Sequence, residues 1–222
     1  APTTTVAPTT TAAPAPAATA YDHGVTEDII RIGAIADVSG IFSPLVIQII
    51  DAQNSYWDMV NDHGGIDGKQ VEFVVLDNGY DLPLHLERYE AMKDKDSGVV
   101  FLSQSTGLPH TAAIAESLVE DGLGAIPLSW YSGWPDPAFG QNVFESHTNY
   151  CYEAMNGVDW LANNVVEGDT KLAVISYPGE YGQDGATGAK MAAEALGIEV
   201  VYDGEGAAIP GADQTPVIAG LV

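Results

Sequence analysis

Apolar and polar positions along this chain switch repeatedly between a strand-like and a helix-like pattern. Residues 29–36 form a short β-branched run with almost no polar interruption, which predicts a strand buried on both faces of a sheet. A polar loop over 37–43 follows, and Ser43 with Pro44 reads as an N-cap and a first-turn proline. Leu45, Ile49, Ala52, Tyr56 and Met59 then recur at spacings of three and four, which predicts an amphipathic helix with that stripe as its apolar face, ended before Gly64. Residues 71–76 predict a second strand, 84–92 a second helix, 99–102 a third strand and 111–119 a third helix. The alternation continues through 124–128, 143–144, 152–162, 172–176, 184–196 and 198–202 with short connections. Strands alternating with helices imply an α/β fold with parallel sheets and helices on both faces, because each parallel crossover must pass over the sheet.

The first twenty residues carry no such pattern. They are Ala, Pro, Thr and Val alone, a composition that favours extended, solvated backbone, so residues 1–24 read as a disordered tether. Stalks of this kind follow the lipid-anchored cysteine of exported lipoproteins, and the expectation is an anchor through sequence upstream of Ala1; the alternative is a linker of a cell-surface protein. Both place the folded part outside the cytoplasm.

Composition narrows the chemistry. Seven Lys and Arg stand against 31 Asp and Glu, a net charge of −24 that repels phosphate backbones and anionic membrane surfaces, so nucleic acid is excluded as a partner. The acidic residues read as a solvated surface, of the kind a salt-rich environment screens, rather than as paired carboxylates for acid–base work. Cys151 is the single cysteine, which rules out an intrachain disulfide and a thiolate cluster. His23, His63, His85, His110 and His147 lack paired ligand spacing, so no metal is expected. Nucleotide-binding glycine loops, a nucleophile elbow and a calcium loop are all missing from the sequence, and no cofactor or catalysis is called for. Gly182, Gly185 and Gly188, three residues apart at a helix entrance, suit close helix packing.

Four short motifs carry a resemblance. Residues 61–69, Asn-Asp-His-Gly-Gly-Ile-Asp-Gly-Lys, resemble the Asn-x-x-Gly-Gly-Ile-x-Gly turn that follows the first helix in the branched-chain amino acid binding proteins, type I periplasmic solute-binding proteins of ABC importers. Ser39-Gly40 after the first strand, the Asp77, Asp81 and Pro83 pattern after the second, and Tyr181-Gly182 at a later helix entrance are similar to family motifs and stand in the family's order. The resemblance implies two Rossmann-like lobes joined by crossovers, with residues 25–146 as lobe 1 and 147–222 as an incomplete lobe 2. It also implies a monomer that traps a branched-chain amino acid or small amide in the cleft and presents it to a membrane permease. A receptor's ligand-binding region or an amide-responsive sensor is the alternative, and a hydrolase a distant third.

Ligands of open parallel sheets lie beyond the carboxyl ends of the strands. Three loops qualify, at 37–42, 103–107 and 129–134. By resemblance Ser105 and Thr106 offer hydroxyls and amides to a ligand carboxylate or amide oxygen, beside a helix amino terminus; the alternative is that they cap that helix. The third loop carries Ser129, Trp130, Tyr131 and Trp134 where many family members have small hydroxyl or alanine residues; its large rings either wall the cleft or, for Trp130 and Trp134, pack beneath the loop as core. Asp37, where the family is usually neutral, either meets a ligand ammonium or makes an Asx-turn. Ser39 belongs to the first loop, and Phe42 and Tyr181 are expected as cleft walls from the two lobes.

Overall fold

A computed structural model describes residues 21–137, 141–166, 168–209 and 211–221. Residues 1–20 of the expected tether lie outside the described residues. The elements run β1 (Ile29–Ala36), α1 (Ser43–Asp62), β2 (Gln70–Asp77), α2 (Leu82–Met92), β3 (Phe101–Thr106), α3 (Leu108–Asp121), β4 (Ala125–Leu128), α4 (Tyr150–Asn164), β5 (Lys171–Ile175), α5 (Glu180–Leu196), β6 (Glu199–Gly204) and α6 (Thr215–Ala219). Every strand pairing is parallel, in one sheet of order β2-β1-β3-β4 and a second of order β5-β6. Residues 143–144 make one parallel bridge, Val143 to Ala125, in place of a strand.

In the larger sheet β1 is central, and the chain leaves it first toward β2 on one side and then toward β3 on the other. This reversal places a topological switch point between β1 and β3, where the loops that leave the two strands diverge and a crevice opens at their carboxyl ends. Ala34, Ile35 and Ala36 of β1 are fully buried, as a strand covered on both faces requires. On one face Ile35, Leu102, Ile114, Leu118 and Trp134 belong to the larger core cluster; on the other Ala34, Ala36, Val46 and Ile50 form a smaller one under α1.

Helix α1 presents a different face from the one its periodicity suggested. Val46 and Ile50 are buried, whereas Leu45, Tyr56 and Met59 are about half exposed. Nor does Ser43 cap it: Phe42 is the N-cap residue, with no side-chain cap. The motif at 61–69 works as backbone engineering. Gly64, Gly65 and Gly68 all have positive φ, and a side chain on Gly65 would strike the Lys69 carbonyl. Asn61 locks the turn, its amide donating to the Val71 carbonyl at 2.8 Å and accepting from the Val71 N–H at 2.7 Å.

Helix α5 packs on the smaller sheet and α4 packs on α5. The two helices pack so closely that a Cβ on Gly188 would collide with the Cys151 carbonyl; of the glycine series only Gly188 makes the expected helix contact, Gly182 lying against the Tyr177 backbone and Gly185 beside open space. Asn149 caps α4 by accepting from the Tyr152 N–H at 3.0 Å. Helix α6 has no counterpart among the predicted elements.

Candidate functional site

The loop after β1 is built around Asp37. Its carboxylate is fully buried and accepts from the amides of Gly40 at 2.5 Å and Phe42 at 2.8 Å, so it folds the loop that leads into α1. These are the bonds of the turn that the sequence offered as one of two readings of Asp37. Asp77, at the end of β2, holds the same loop from its other side, accepting from the Ser39 hydroxyl at 2.6 Å and the Val38 amide at 3.1 Å. Burial works against its ionisation, but these bonds and one from Gly79 keep its carboxyl below the usual range. Ser39 is thus exposed but already engaged.

Ser105 and Thr106 are not in a loop. They are the last residues of β3 and are buried, at 0% and 2% exposure. The Tyr80 N–H donates to the Asn78 side-chain oxygen, which orients that amide so that its NH₂ faces His85 Nδ1 at 3.0 Å. Nδ1 is therefore the acceptor, and the His85 proton sits on Nε2, 3.4 Å from the Ser105 oxygen. Thr111 donates to the Ser105 carbonyl, which leaves the Ser105 hydroxyl to donate to Thr111 at 2.8 Å. Thr106 accepts from Gln104, whose oxygen accepts from Gln53 on α1. The expected hydroxyl donors are engaged within the protein, because a polar strand end in the core must satisfy itself. Burial, and after it the neighbouring His110 ring, holds His85 down to about 3, so it is neutral.

What the strand ends leave unsatisfied lies one turn further on. His110, in the first turn of α3, is 3% exposed, and no well-directed hydrogen bond reaches either ring nitrogen. Burial lowers its pKa, opposed by the Tyr80 carbonyl nearby and by Asp81 and Asp37. Ser129, next to β4 and 3% exposed, has an unpartnered hydroxyl, although its carbonyl accepts from the Trp134 indole at 3.0 Å. Trp130 Nε1 is also buried without a partner. Because Thr106 pairs with Leu128, Ser129 follows directly beside Gly107, the N-cap residue of α3. Of the aromatics in the third loop, Trp134 is core at 1% exposure, and Tyr131 packs on it with ring centroids 5.7 Å apart.

Aromatic rings frame this locus. Tyr80 sits in a left-handed conformation, φ 57°, with its ring 4.6 Å from both Phe42 and His110. Trp130 lies 6.0 Å from Tyr150, and Tyr150 4.7 Å from Tyr181. Burial, then Asp37 and Tyr181, raises the Tyr80 phenol, while Tyr150 is pushed up to about 12, chiefly by burial. Phe42 and Tyr181 are thereby joined, through Tyr80 on one side and Tyr150 on the other, to the ends of β1, β3 and β4. A groove of about 600 Å³ runs along β5 between α4 and α5, and Tyr150, Tyr177 and Tyr181 form part of its wall. Gly182 lets α5 start against it, since a Cβ there would meet the Tyr177 carbonyl. The Ser132 amide and hydroxyl both donate to Asp184 on α5, tying the loop after β4 to the elements of the smaller sheet. Glu145 lies close by, its pKa raised by burial and then by Asp184.

Comparison with known proteins matches residues 29–221 to the family described as periplasmic binding protein. No curated protein matches the chain. Among solved structures, a fatty acid ABC transporter substrate-binding protein from Thermomonospora curvata superposes with a TM-score of 0.77 at 29% identity, over 90% of this chain and 49% of that one. A branched-chain amino acid ABC transporter protein from Thermus thermophilus with bound valine gives 0.73 at 18% identity, over 88% and 50%. A solute-binding protein from R. palustris in complex with 4-hydroxybenzoate gives 0.71 at 19% identity, over 87% and 51%. The chain therefore spans about half the length of the solved proteins it resembles.

Proposed function

The chain belongs to the periplasmic binding protein family, and on that premise we propose that it captures a small amino acid or amide for an ABC importer. The fold is that of ABC-transporter substrate-binding proteins of type I, a family that binds solutes outside the cytoplasm. The proposal assigns residues 25–146 to one lobe and 147–222 to the second, with ligand held where they face each other. Anchoring through a lipid upstream of Ala1, a monomeric state and delivery to a membrane permease belong to the same reading, and no catalytic step does.

One observation carries it. At the strand ends of the larger sheet, His110, Ser129 and Trp130 hold buried polar atoms without a well-directed protein hydrogen bond, on the side where Trp130 meets Tyr150 and Tyr150 meets Tyr181. A ligand oxygen placed there would gain hydrogen bonds that the protein cannot make alone. Around it Phe42, Tyr80, Trp130 and Tyr181 supply flat apolar walls. The oxygen is a carboxylate or amide carbonyl by this reading, and Glu145 beside Asp184 supplies negative potential toward an ammonium.

A thermal-shift screen of amino acids, small amides and urea against the purified protein tests the proposal. A ligand at a hundredfold its Kd adds about 2.7 kcal/mol to the folded state, which corresponds to roughly 5–10 °C for a protein of this size. A protein that none of the panel stabilises but that hydrolyses one of its amides would overturn it.

A further inference from the structure

The loop after β4 and helix α5 meet through a pair of hydrogen bonds, and each partner is fixed to its own sheet. Ser132 stands at a corner of the turn that the Trp134 N–H closes on the Tyr131 carbonyl at 3.0 Å, and the buried Trp134 ring anchors that turn in the larger core. Asp184 lies in the second turn of α5, a helix seated by Gly182 against the Tyr177 backbone and by Gly188 against the Cys151 carbonyl. The Ser132 N–H donates to one carboxylate oxygen of Asp184 at 3.0 Å and the Ser132 hydroxyl to the other at 2.5 Å. Both oxygens are thus engaged by a single residue 52 positions away, and Asp184 is 6% exposed. No Lys or Arg occurs among residues 129–134, 143–153 or 180–189 to neutralise that charge. Glu145, two residues past the Val143 bridge, keeps one buried oxygen without a partner, and Asp184 adds to the burial that raises its carboxyl. Attraction at Ser132 is therefore set against repulsion at Glu145, and a carboxylate so buried is tolerated only while its hydrogen bonds are kept.

Resting on the importer reading and its two lobes, we infer that Ser132 and Asp184 are a positioning pair, an inter-lobe latch that holds the lobes of the free protein at the orientation in which the cleft is formed. Neither residue touches the solute. A second bond across the junction, from the Tyr150 N–H to the Trp130 carbonyl at 2.8 Å, lies close to the boundary between the lobes and has little leverage on their swing. Asp184 stands well beyond that boundary, on a different helix, and so restrains the swing itself. A latch acts on every solute alike, because apparent affinity scales with the fraction of molecules whose cleft is formed. Cutting it weakens a zwitterion, a carboxylate and an amide by one common factor, whereas loss of a ligand contact discriminates among them.

The test measures lobe separation and affinity on the same purified protein. Spin labels at Glu116→Cys on α3 and Glu194→Cys on α5, both exposed positions, report the distance between the lobes in a common Cys151→Ser background. Ser132→Ala, Asp184→Asn and the two combined are compared with that background, and calorimetry follows valine, 4-hydroxybenzoate, octanoate and acetamide. Each single variant should broaden the ligand-free distance distribution toward longer separations, and the pair together should go no further than either alone. Every probe that binds should weaken by the same factor, about tenfold. Ser132→Ala removes only a hydroxyl, so the distance readout stands even if Asp184→Asn fails to fold. Unchanged distances in the variants would overturn the latch, as would longer distances with undiminished affinity. A loss confined to valine at unchanged distances would also overturn it, because Asp184 would then be meeting an ammonium. Each of these outcomes leaves the importer reading standing. If these probes and the thermal-shift screen are all silent, the importer reading falls, while the label distances still decide whether Ser132 and Asp184 hold the two bodies together.

Discussion

Replacing Asp37 by alanine separates two roles that the sequence left open. The carboxylate accepts two backbone amides, from Gly40 and Phe42, and is fully buried. Hydrogen bonds to a charged acceptor are worth about 1.5–3 kcal/mol each, so Asp37→Ala should cost roughly 3 kcal/mol or more. At about 2–4 °C per kcal/mol for a chain of this length, the melting midpoint should fall by roughly 6–12 °C. Asp37→Asn keeps one oxygen but turns an NH₂ toward an amide donor, so it should recover only part of the loss. Urea denaturation and calorimetric ligand titration on the same preparations give stability and affinity side by side. A loop-folding Asp37 lowers the midpoint strongly and leaves the residual affinity of the folded fraction within a few-fold. The reasoning is refuted by an alanine variant that melts like wild type yet binds valine more than tenfold more weakly, because Asp37 would then be meeting a ligand ammonium.

Three further outcomes follow from packing and protonation. Gly188→Ala drives a methyl into the Cys151 carbonyl and should destabilise by about 1–3 kcal/mol, read as a lower midpoint in urea; an unchanged midpoint would show that α4 and α5 separate without cost. Asn149→Ala removes the α4 cap and should cost about 1 kcal/mol, whereas Asn149→Ser should cost less, by the same measurement. His85 is held at about 3, below its ordinary 6.5, so the unfolded chain binds the extra proton first. Its contribution is complete above about pH 6.5 and is lost as pH falls toward 3, with a slope of up to about 1.4 kcal/mol per pH unit. Stability measured by urea titration across that window should flatten in His85→Gln, and an identical slope would show that His85 charges freely in the fold.

Much of the framework is visible in local pattern because the forces that set it are local. The limits of β1 follow from a run of apolar residues that only a twice-covered strand can bury, and the turn at 61–69 follows from glycines that alone tolerate its backbone. Periodicity is weaker at saying which way a helix faces. Helix α1 carries one apolar stripe through Leu45, Tyr56 and Met59 and another through Val46 and Ile50, and only the neighbouring sheet decides between them. The misplaced site residues have a related cause. Phe101–Thr106 contains Ser, Gln, Ser and Thr, so its second half resembles a loop; it is a buried strand because Gln53, His85 and Thr111 arrive from other elements to satisfy those side chains. No window of sequence shows partners that come from a different helix.

Ser129 was named from the sequence as part of the third loop, whereas His110 was missed for the complementary reason, since an unmet hydrogen-bonding need is a property of assembled surroundings. One local signal did exist: a histidine directly after the Pro109 that opens α3, and a serine directly after the short strand β4. Polar residues placed one step past parallel strand ends, where the backbone already aims its amides into a crevice, are better ligand candidates than polar residues inside those strands. The strand's own residues must first satisfy the core. Those just beyond it are under no such obligation, and His110 and Ser129 are left without the partners that the residues inside the strand find.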